Sequence, residues 1–266
     1  WLINAPPPGV SKAALYGGTT TLIDFAVVKP DALISEAVAA KLATWEGSYA
    51  DHTVHVLLHG AAPRRVLEQI PEAITAGFSS FKLFTTDVKP ARKGLMLRYG
   101  DIWELMKTVS RHGGILAVHA EDDDIVMHLY EKFRAADDMS YKNLPAIHNE
   151  ISEDLSFRRV IRLAQYVDGA ALYMMHVSAA TGVNAIAEAR ANGFPIYGET
   201  LHNFTAFTAA DYLKPDGVMY HTHPSLKDEK DRQRLWQGLD DGTLSTMATD
   251  ESCTPKAIKV SGQTIL

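Results

Sequence analysis

The stretch Gly114–Glu121 reads GILAVHAE, a short apolar run that ends in polar residues. The segment before it, Ile102–His112, carries apolar residues at helical spacing and stops at Gly113, a common residue just past a helix. An apolar run that follows a helix is typical of a parallel strand covered on both faces. The stretch therefore predicts one unit of an α/β fold.

The same alternation recurs along the chain, and no low-complexity segment or Gly/Ser linker divides it. The comparable runs are Thr19–Ala26, His52–Gly60, Ser80–Thr86, Ala171–Ser178, Phe194–Thr200 and Ser245–Glu251, with Gly217–His221 as a weaker candidate. Helical patterns between them cover Pro63–Ala76, Leu155–Val167 and Ala179–Ala191. About seven such units predict a TIM-like (β/α)8 barrel, short of a full set at one end. We expect residues 1–266 to form a single barrel domain.

Composition narrows the class of protein. The formal net charge is -6, with 46% hydrophobic and 22% charged residues, which is typical of a globular protein. The charge argues against nucleic acid or an anionic membrane as the main partner, and no apolar run reaches the roughly 18 residues of a membrane span. Cys253 is the single cysteine, which excludes a disulfide framework within the chain. These features favour a cytoplasmic location. Because the chain starts at Trp1 without a methionine, we expect it to be a piece of a longer protein.

Polar residues with metal-binding or proton-transfer chemistry fall at or near the ends of several predicted strands. They are Lys82, His119, His176 and Asp250. Each has an ordinary structural alternative: a hydrogen-bonded histidine, an aspartate that caps the next helix, or a lysine that extends to solvent. In a parallel barrel, however, the carboxyl ends of the strands meet at one rim. Imidazole and carboxylate are good zinc ligands, so the combined pattern favours a metal site.

Lys82 is the unusual member, because a cationic amine cannot bind a metal ion. Burial lowers the pKa of a lysine and makes its neutral amine accessible. A neutral amine can add carbon dioxide to form a carbamate, an anion whose two oxygens can bridge two metals. We therefore interpret Lys82 as a candidate for carboxylation.

The motifs together resemble the cyclic amidohydrolases, namely hydantoinases and dihydropyrimidinases, with allantoinase and dihydroorotase more distant. The matching stretches are GGTTTLIDF at Gly17–Phe25, SFKLF at Ser80–Phe84, VHAED at Val118–Asp122, MHVSAATG at Met175–Gly182, GET at Gly198–Thr200 and ATDESC at Ala248–Cys253. The resemblance implies a metal-dependent hydrolase barrel with two divalent ions, commonly zinc. It implies hydrolysis of a cyclic amide, such as a hydantoin or a dihydropyrimidine, by a metal-activated hydroxide.

The resemblance also assigns roles to single residues. Lys82 would carry the bridging carbamate, and His119 and His176 would be metal ligands. Asp250 would be both a metal ligand and the catalytic general base. Ser225, in the stretch His223–Leu226, would bind the ring amide of the substrate. Members of this family are often tetramers, so the resemblance implies a homo-oligomer.

The chain departs from the family in two places. No His-x-His pair precedes Gly17, so we expect the first barrel strand and the flanking β-sandwich segments to be missing from it. Hydantoinases usually carry a tyrosine a few residues after the lysine, whereas Thr85–Val88 contains none and Tyr99 is more distant. The second departure bears on the identity of the substrate.

Three further interpretations remain open from the sequence. The enzyme could act as an allantoinase or a dihydroorotase. The chain could instead be a non-catalytic, dihydropyrimidinase-like assembly protein; the presence of Lys82, His119, His176 and Asp250 favours an enzyme. As a fragment, the chain could also be inactive by itself. Among neighbouring residues, we expect Glu121 to orient His119, and Cys253 to have no catalytic role.

Overall fold

The computed structural model describes residues 6–252, 254 and 256–261. In this part of the chain, seven parallel strands form one sheet in sequence order. The strands are β1 (Thr21–Val28), β2 (Asp51–Leu58), β3 (Ser80–Phe84), β4 (Ile115–His119), β5 (Leu172–Met174), β6 (Ile196–Leu201) and β7 (Thr246–Ala248). The prediction of a parallel α/β sheet is confirmed. Within the described residues the sheet is a curled half-barrel with β1 and β7 at its edges.

Helices connect the strands. They are α1 (Pro7–Tyr16), α2 (Ile34–Ala43), α3 (Arg64–Leu67), α4 (Ile70–Thr75), α5 (Tyr99–Arg111), α6 (Asp123–Ala135), α7 (Leu144–Ile147), α8 (Glu150–Ala164), α9 (Ala180–Ala191), α10 (His202–Ala206), α11 (Glu229–Asp240) and α12 (Lys256–Ser261). Short 3₁₀ helices lie at Pro90–Arg92, Tyr141–Asn143, Ala209–Leu213 and Gly217–Tyr220. None of the described helices is long and apolar enough to cross a membrane.

Two local predictions were wrong. The weak strand candidate Gly217–His221 is mostly a 3₁₀ helix, because the backbone N–H groups of Met219 and His221 donate to carbonyls three residues earlier and not to a neighbouring strand. The single helix predicted over Pro63–Ala76 is divided into α3 and α4. Pro71 stands in the first turn of α4, where its missing N–H interrupts a continuous helix but is tolerated at a helix start.

Alternation along each strand separates a core face from an inner face. On β3, Phe81 and Leu83 are fully buried in the hydrophobic core that the sheet shares with its helices. Lys82, between them, points to the opposite face of the sheet. Leu57 on β2 and Ala117 on β4 are its register partners, so they occupy the same layer of the inner face. The fold thus directs the Lys82 side chain into the concave side of the curled sheet.

Candidate metal centre

Lys82 is buried, with 2% of its surface exposed, and its amine has poor partners for a positive charge. The Nζ atom lies 3.1 Å from the Sδ atom of Met175 and 4.7 Å from the ring centroid of Phe84. Burial lowers the pKa of Lys82 to about 8, against the opposing attraction of Asp250 and Glu199. The neutral amine is therefore accessible near neutral pH, as the sequence interpretation requires.

His119 and His176 come together beside Lys82. His119 ends β4, whereas His176 follows β5 by two residues. The Nδ1 atom of His119 lies 3.0 Å from the Nε2 atom of His176, and both residues are buried. Burial lowers the pKa of both imidazoles, that of His119 to about 4, so both rings are neutral near pH 7. Neutral imidazole is the form that binds metal ions.

Glu121 fixes the orientation of His119. Its carboxylate accepts hydrogen bonds from His119 Nε2 at 2.8 Å and from His148 Nδ1 at 2.9 Å. Burial acts to raise the pKa of Glu121, but the interactions with His148 and His119 prevail and hold that pKa well below its usual value. An ionised carboxylate only accepts, so Nε2 of His119 carries the proton and Nδ1 carries the lone pair. A lone pair on Nδ1 is what a metal ligand needs.

His148 extends this network, although no sequence pattern points to it. His148 follows α7 directly and is fully buried. Its Nε2 atom lies 3.1 Å from the hydroxyl of Tyr130 on α6. With Nδ1 donating to Glu121, Nε2 accepts from Tyr130. A histidine between two helices has no periodicity or motif that marks it. Only the packing of α6 and α7 against the end of β4 brings it to Glu121.

Asp250 lies apart from this network. It follows β7 by two residues, its backbone is left-handed with φ 45°, and the residue is exposed at the edge of the sheet. It lies within electrostatic range of Lys82, and this interaction opposes the effect of burial on the pKa of Lys82. The structure therefore groups Lys82, His119 and His176 closely, whereas Asp250 lies just past the edge strand β7. Cys253 lies outside the described residues.

Ser225 is buried in a different position from the histidine pair. Its Oγ atom donates to the carbonyl oxygen of His148 at 2.9 Å, and the Nζ atom of Lys227 donates to the same Oγ at 3.1 Å. Its neighbour His223 packs against His148 with ring centroids 4.4 Å apart. Neither ring nitrogen of His223 has a hydrogen-bond partner among the described residues. The His-x-His pair of His221 and His223 was visible in the sequence, but its proximity to His148 was not.

The residues present fit a divalent metal ion. Within residues 6–252, 254 and 256–261, no three His, Cys, Asp or Glu side chains converge as a ready-made cage. The imidazoles of His119 and His176 supply two neutral nitrogen donors, and His176 Nδ1 is buried without a partner in that part of the chain. Lys82 is the third side chain at this point. Its protonated amine has no lone pair with which to bind a metal ion. The chemistry of the two imidazoles therefore fits a divalent metal ion.

Comparison with known proteins gives one consistent group of relatives. No family model matches the chain. It is 31% identical over 248 residues to a D-hydantoinase of Streptomyces coelicolor, covering 90% of this chain and 51% of that protein. It is 28% identical over 250 residues to a D-phenylhydantoinase of Escherichia coli, covering 92% of this chain and 52% of the relative. The chain thus spans about half the length of the curated relatives it matches.

Solved structures agree with the sequence relatives. A crystal structure of the dihydropyrimidinase from Brevibacillus agri superposes with a TM-score of 0.88 at 26% identity, covering 94% of this chain and 54% of that one. A D-hydantoinase (dihydropyrimidinase) from Thermus sp. has the same fold, with a TM-score of 0.90 at 24% identity, covering 98% and 57% of the two chains. Together with the motifs around Lys82, His119 and His176, these comparisons agree on one likeness: over about half of their length, hydantoinases and dihydropyrimidinases are similar to this chain in sequence and fold.

Proposed function

We propose that the protein of which this chain is part hydrolyses a cyclic amide, such as a hydantoin or a dihydropyrimidine, with the help of two divalent metal ions, most simply zinc. The observation that carries the proposal is the buried Lys82 beside the facing nitrogens of His119 and His176. An isolated buried amine with a thioether as its partner is costly. Its position is understandable if Lys82 reacts with carbon dioxide, losing a proton and forming an anionic carbamate.

Each residue of the candidate site has a separate role in this proposal. Lys82 as its carbamate, His119, His176 and Asp250 would hold the metal ions, which supply a water of lowered pKa and polarise the amide carbonyl. Glu121 keeps the Nδ1 lone pair of His119 directed inwards. Asp250 takes the proton of the attacking water and delivers it to the leaving ring nitrogen, help that is worth about a hundred- to ten-thousandfold.

Ser225 remains our candidate for contact with the ring amide. Its hydroxyl already donates to the carbonyl of His148, so a contact through Oγ requires that bond to exchange on substrate binding. His223, with both ring nitrogens unpartnered in the described chain, is a second candidate from the same segment. The hydroxyl of Tyr99 lies 3.4 Å from Ser156 on α8. The ring substrate therefore has to be found with a panel that includes allantoin and dihydroorotate.

We also propose that one further strand closes the sheet into a (β/α)8 barrel. Apolar residues of the edge strands are uncovered: Ile23 and Val27 on β1 are 51% and 37% exposed, and Met247 on β7 is 43% exposed. A strand between β1 and β7 would cover them and pair both free edges. In the intact protein we further propose assembly into a homo-oligomer, in line with the family resemblance.

The test uses the intact protein, assayed for hydrolysis of hydantoin, dihydrouracil, allantoin and dihydroorotate, with metal content measured in parallel. Lys82→Ala and Asp250→Asn should each abolish hydrolysis. Lys107→Ala, on the outer helix α5, is the matched control and should retain it. Short carboxylic acids added to Lys82→Ala should restore part of the activity. Full activity of Lys82→Ala without such acids would exclude the bridging role.

A further inference from the structure

His176 has an unusual backbone for a buried histidine. Its φ is 39°, in the left-handed region, although the residue is only 4% exposed. For a residue other than glycine, this conformation costs on the order of 1–2 kcal/mol and persists only where the surroundings impose it. Strand β5 ends at Met174, so the backbone N–H of His176 is not part of the hydrogen bonding between strands. Some other group must hold that peptide.

The group that holds it is the side chain of Glu199 on β6. Its Oε1 atom accepts from the backbone N–H of His176 at 3.3 Å, and its own carbonyl accepts from the N–H of Val177 at 2.7 Å. Glu199 is 5% exposed, so water does not compete strongly for these groups. One residue therefore contacts both peptides at the point where the chain turns away from the strand.

Glu199 is in turn held from both sides. Its Oε2 atom accepts from the hydroxyl of Tyr173 on β5 at 2.7 Å, and that hydroxyl is also 2.7 Å from Oγ1 of Thr246 on β7. Glu199 and Thr246 are register partners, so the three side chains occupy the same side of adjacent strands. We refer to Tyr173, Glu199 and Thr246 as the Glu199 clamp. It joins β5, β6 and β7 across the inner face of the sheet.

We propose that Glu199 is a positioning residue: it fixes the left-handed peptide of His176 and thereby directs the imidazole towards His119. Each carboxylate oxygen already accepts a hydrogen bond, so Glu199 acts through His176 rather than as a metal ligand. The hydrogen bonds alone support the claim that Glu199 fixes the His176 peptide. The purpose of the positioning, a metal-binding imidazole, rests on the proposed function.

The variants separate positioning from direct ligation. Glu199→Gln keeps an oxygen that accepts from the His176 N–H, whereas Glu199→Ala removes it. Tyr173→Phe leaves Glu199 in place but removes the hydroxyl that holds it. Tyr197→Phe is the matched control, because Tyr197 is the register partner of Tyr173 on the next strand and is 42% exposed.

The first measurement is hydrogen exchange at the His176 amide in the intact protein. Glu199→Ala should accelerate exchange at least about tenfold, the loss of one hydrogen bond of about 1.4 kcal/mol. Tyr173→Phe should have a smaller effect, and Glu199→Gln and Tyr197→Phe little. If Glu199→Ala does not fold, faster exchange in Tyr173→Phe than in Tyr197→Phe carries the test. Unchanged exchange in every folded clamp variant would overturn the proposal.

The second measurement is metal retained after dialysis, with kcat and KM for the substrate found above. Positioning predicts that Glu199→Ala loses metal and kcat while Glu199→Gln keeps most of both. Equal loss in both variants would overturn the proposal in favour of a direct role for the charge. Different results would refute the proposed function and the positioning role of Glu199. A wild-type protein that binds no metal but shows the expected exchange pattern refutes the proposed function and retains the clamp.

Discussion

Glu121 and Glu153 are both fully buried carboxylates close to the candidate metal ligands, yet the structure shifts their pKa values in opposite directions. Glu121 accepts from the imidazoles of His119 and His148. Glu153, on α8, accepts from the backbone N–H groups of Ser178 and Ala179 and from the Ser178 hydroxyl at the start of α9. The pKa of Glu121 is held well below its usual value, whereas burial raises that of Glu153 to about 7.

The difference shows that the kind of partner, and not burial alone, decides the charge of a buried acid. The pKa of Glu121 is lowered by its electrostatic interaction with His148 and by hydrogen bonds from two imidazole N–H groups, whereas the hydrogen-bond donors to Glu153 are backbone amides and one hydroxyl. The positive charge of Lys227 lowers the pKa of Glu153 but does not offset its burial. Glu121, as an ionised carboxylate, is therefore suited to orient the imidazole of His119. Glu153 is suited to anchor the segment that follows His176.

Glu121→Gln should give the largest effect, because an amide has one acceptor oxygen for two N–H donors. Two hydrogen bonds to a charged group are weakened, and the free energy of unfolding should fall by about 4 kcal/mol at neutral pH. Since the folded pKa of Glu121 lies below its unfolded value, this contribution is present above pH 4.5 and is lost as the pH falls. Urea unfolding measures it. Glu131→Gln, on the exposed side of α6, is the control, and equal stability of the two variants would contradict the charged role.

Glu153→Gln should show the opposite pH dependence. The folded pKa is raised from 4.5 to about 7, so the stability contributed by Glu153 is greatest below pH 4.5 and is lost as the pH rises towards 7. Between pH 4.5 and 7, the free energy of unfolding of Glu153→Gln should rise on the order of 3 kcal/mol relative to that of wild type, because each pKa unit corresponds to about 1.4 kcal/mol. Urea midpoints measured across the interval provide the comparison. Glu150→Gln, at a more exposed position on the same helix, should have the same pH dependence of stability as wild type. If the stability of Glu153→Gln changed with pH in parallel with that of wild type, the raised pKa of Glu153 would be refuted.

Tyr130→Phe should have the smallest effect of the three. It removes the hydroxyl that hydrogen-bonds His148 Nε2 but leaves the bond from His148 to Glu121 intact. The expected loss is about 1 kcal/mol of unfolding free energy. Tyr49→Phe serves as the control, since Tyr49 is 65% exposed. A loss as large as that of Glu121→Gln would mean that the network stabilises the fold as one unit and not bond by bond.

Much of the site was visible in the sequence because strand ends in a parallel sheet share one rim. Lys82, His119 and His176 each stand at or just past a strand, and the structure brings them together. The helix N-cap at Asp122, which accepts from Ile125 N–H, also follows from local sequence. Asp250 was also selected from its place near a strand end, whereas Ser225 was chosen by resemblance. The roles of all these residues stay predictions.

Other features required the folded chain. His148, Tyr173 and Thr246 lie in segments with no chemical motif, and their partners are 27, 26 and 73 residues away in sequence. The division of Pro63–Ala76 into two helices and the 3₁₀ helix at Gly217–Tyr220 are local features that hydrophobic periodicity alone did not predict.

By itself, the sequence determined the order of the parallel strands and which of them carry Lys82 and His119, because hydrophobic periodicity and chain direction are local properties. Only the tertiary structure decided which buried groups are charged and which peptides are held out of regular geometry. Those outcomes depend on donors and acceptors from distant segments, whose approach to Glu121, Glu153 and His176 is set by packing.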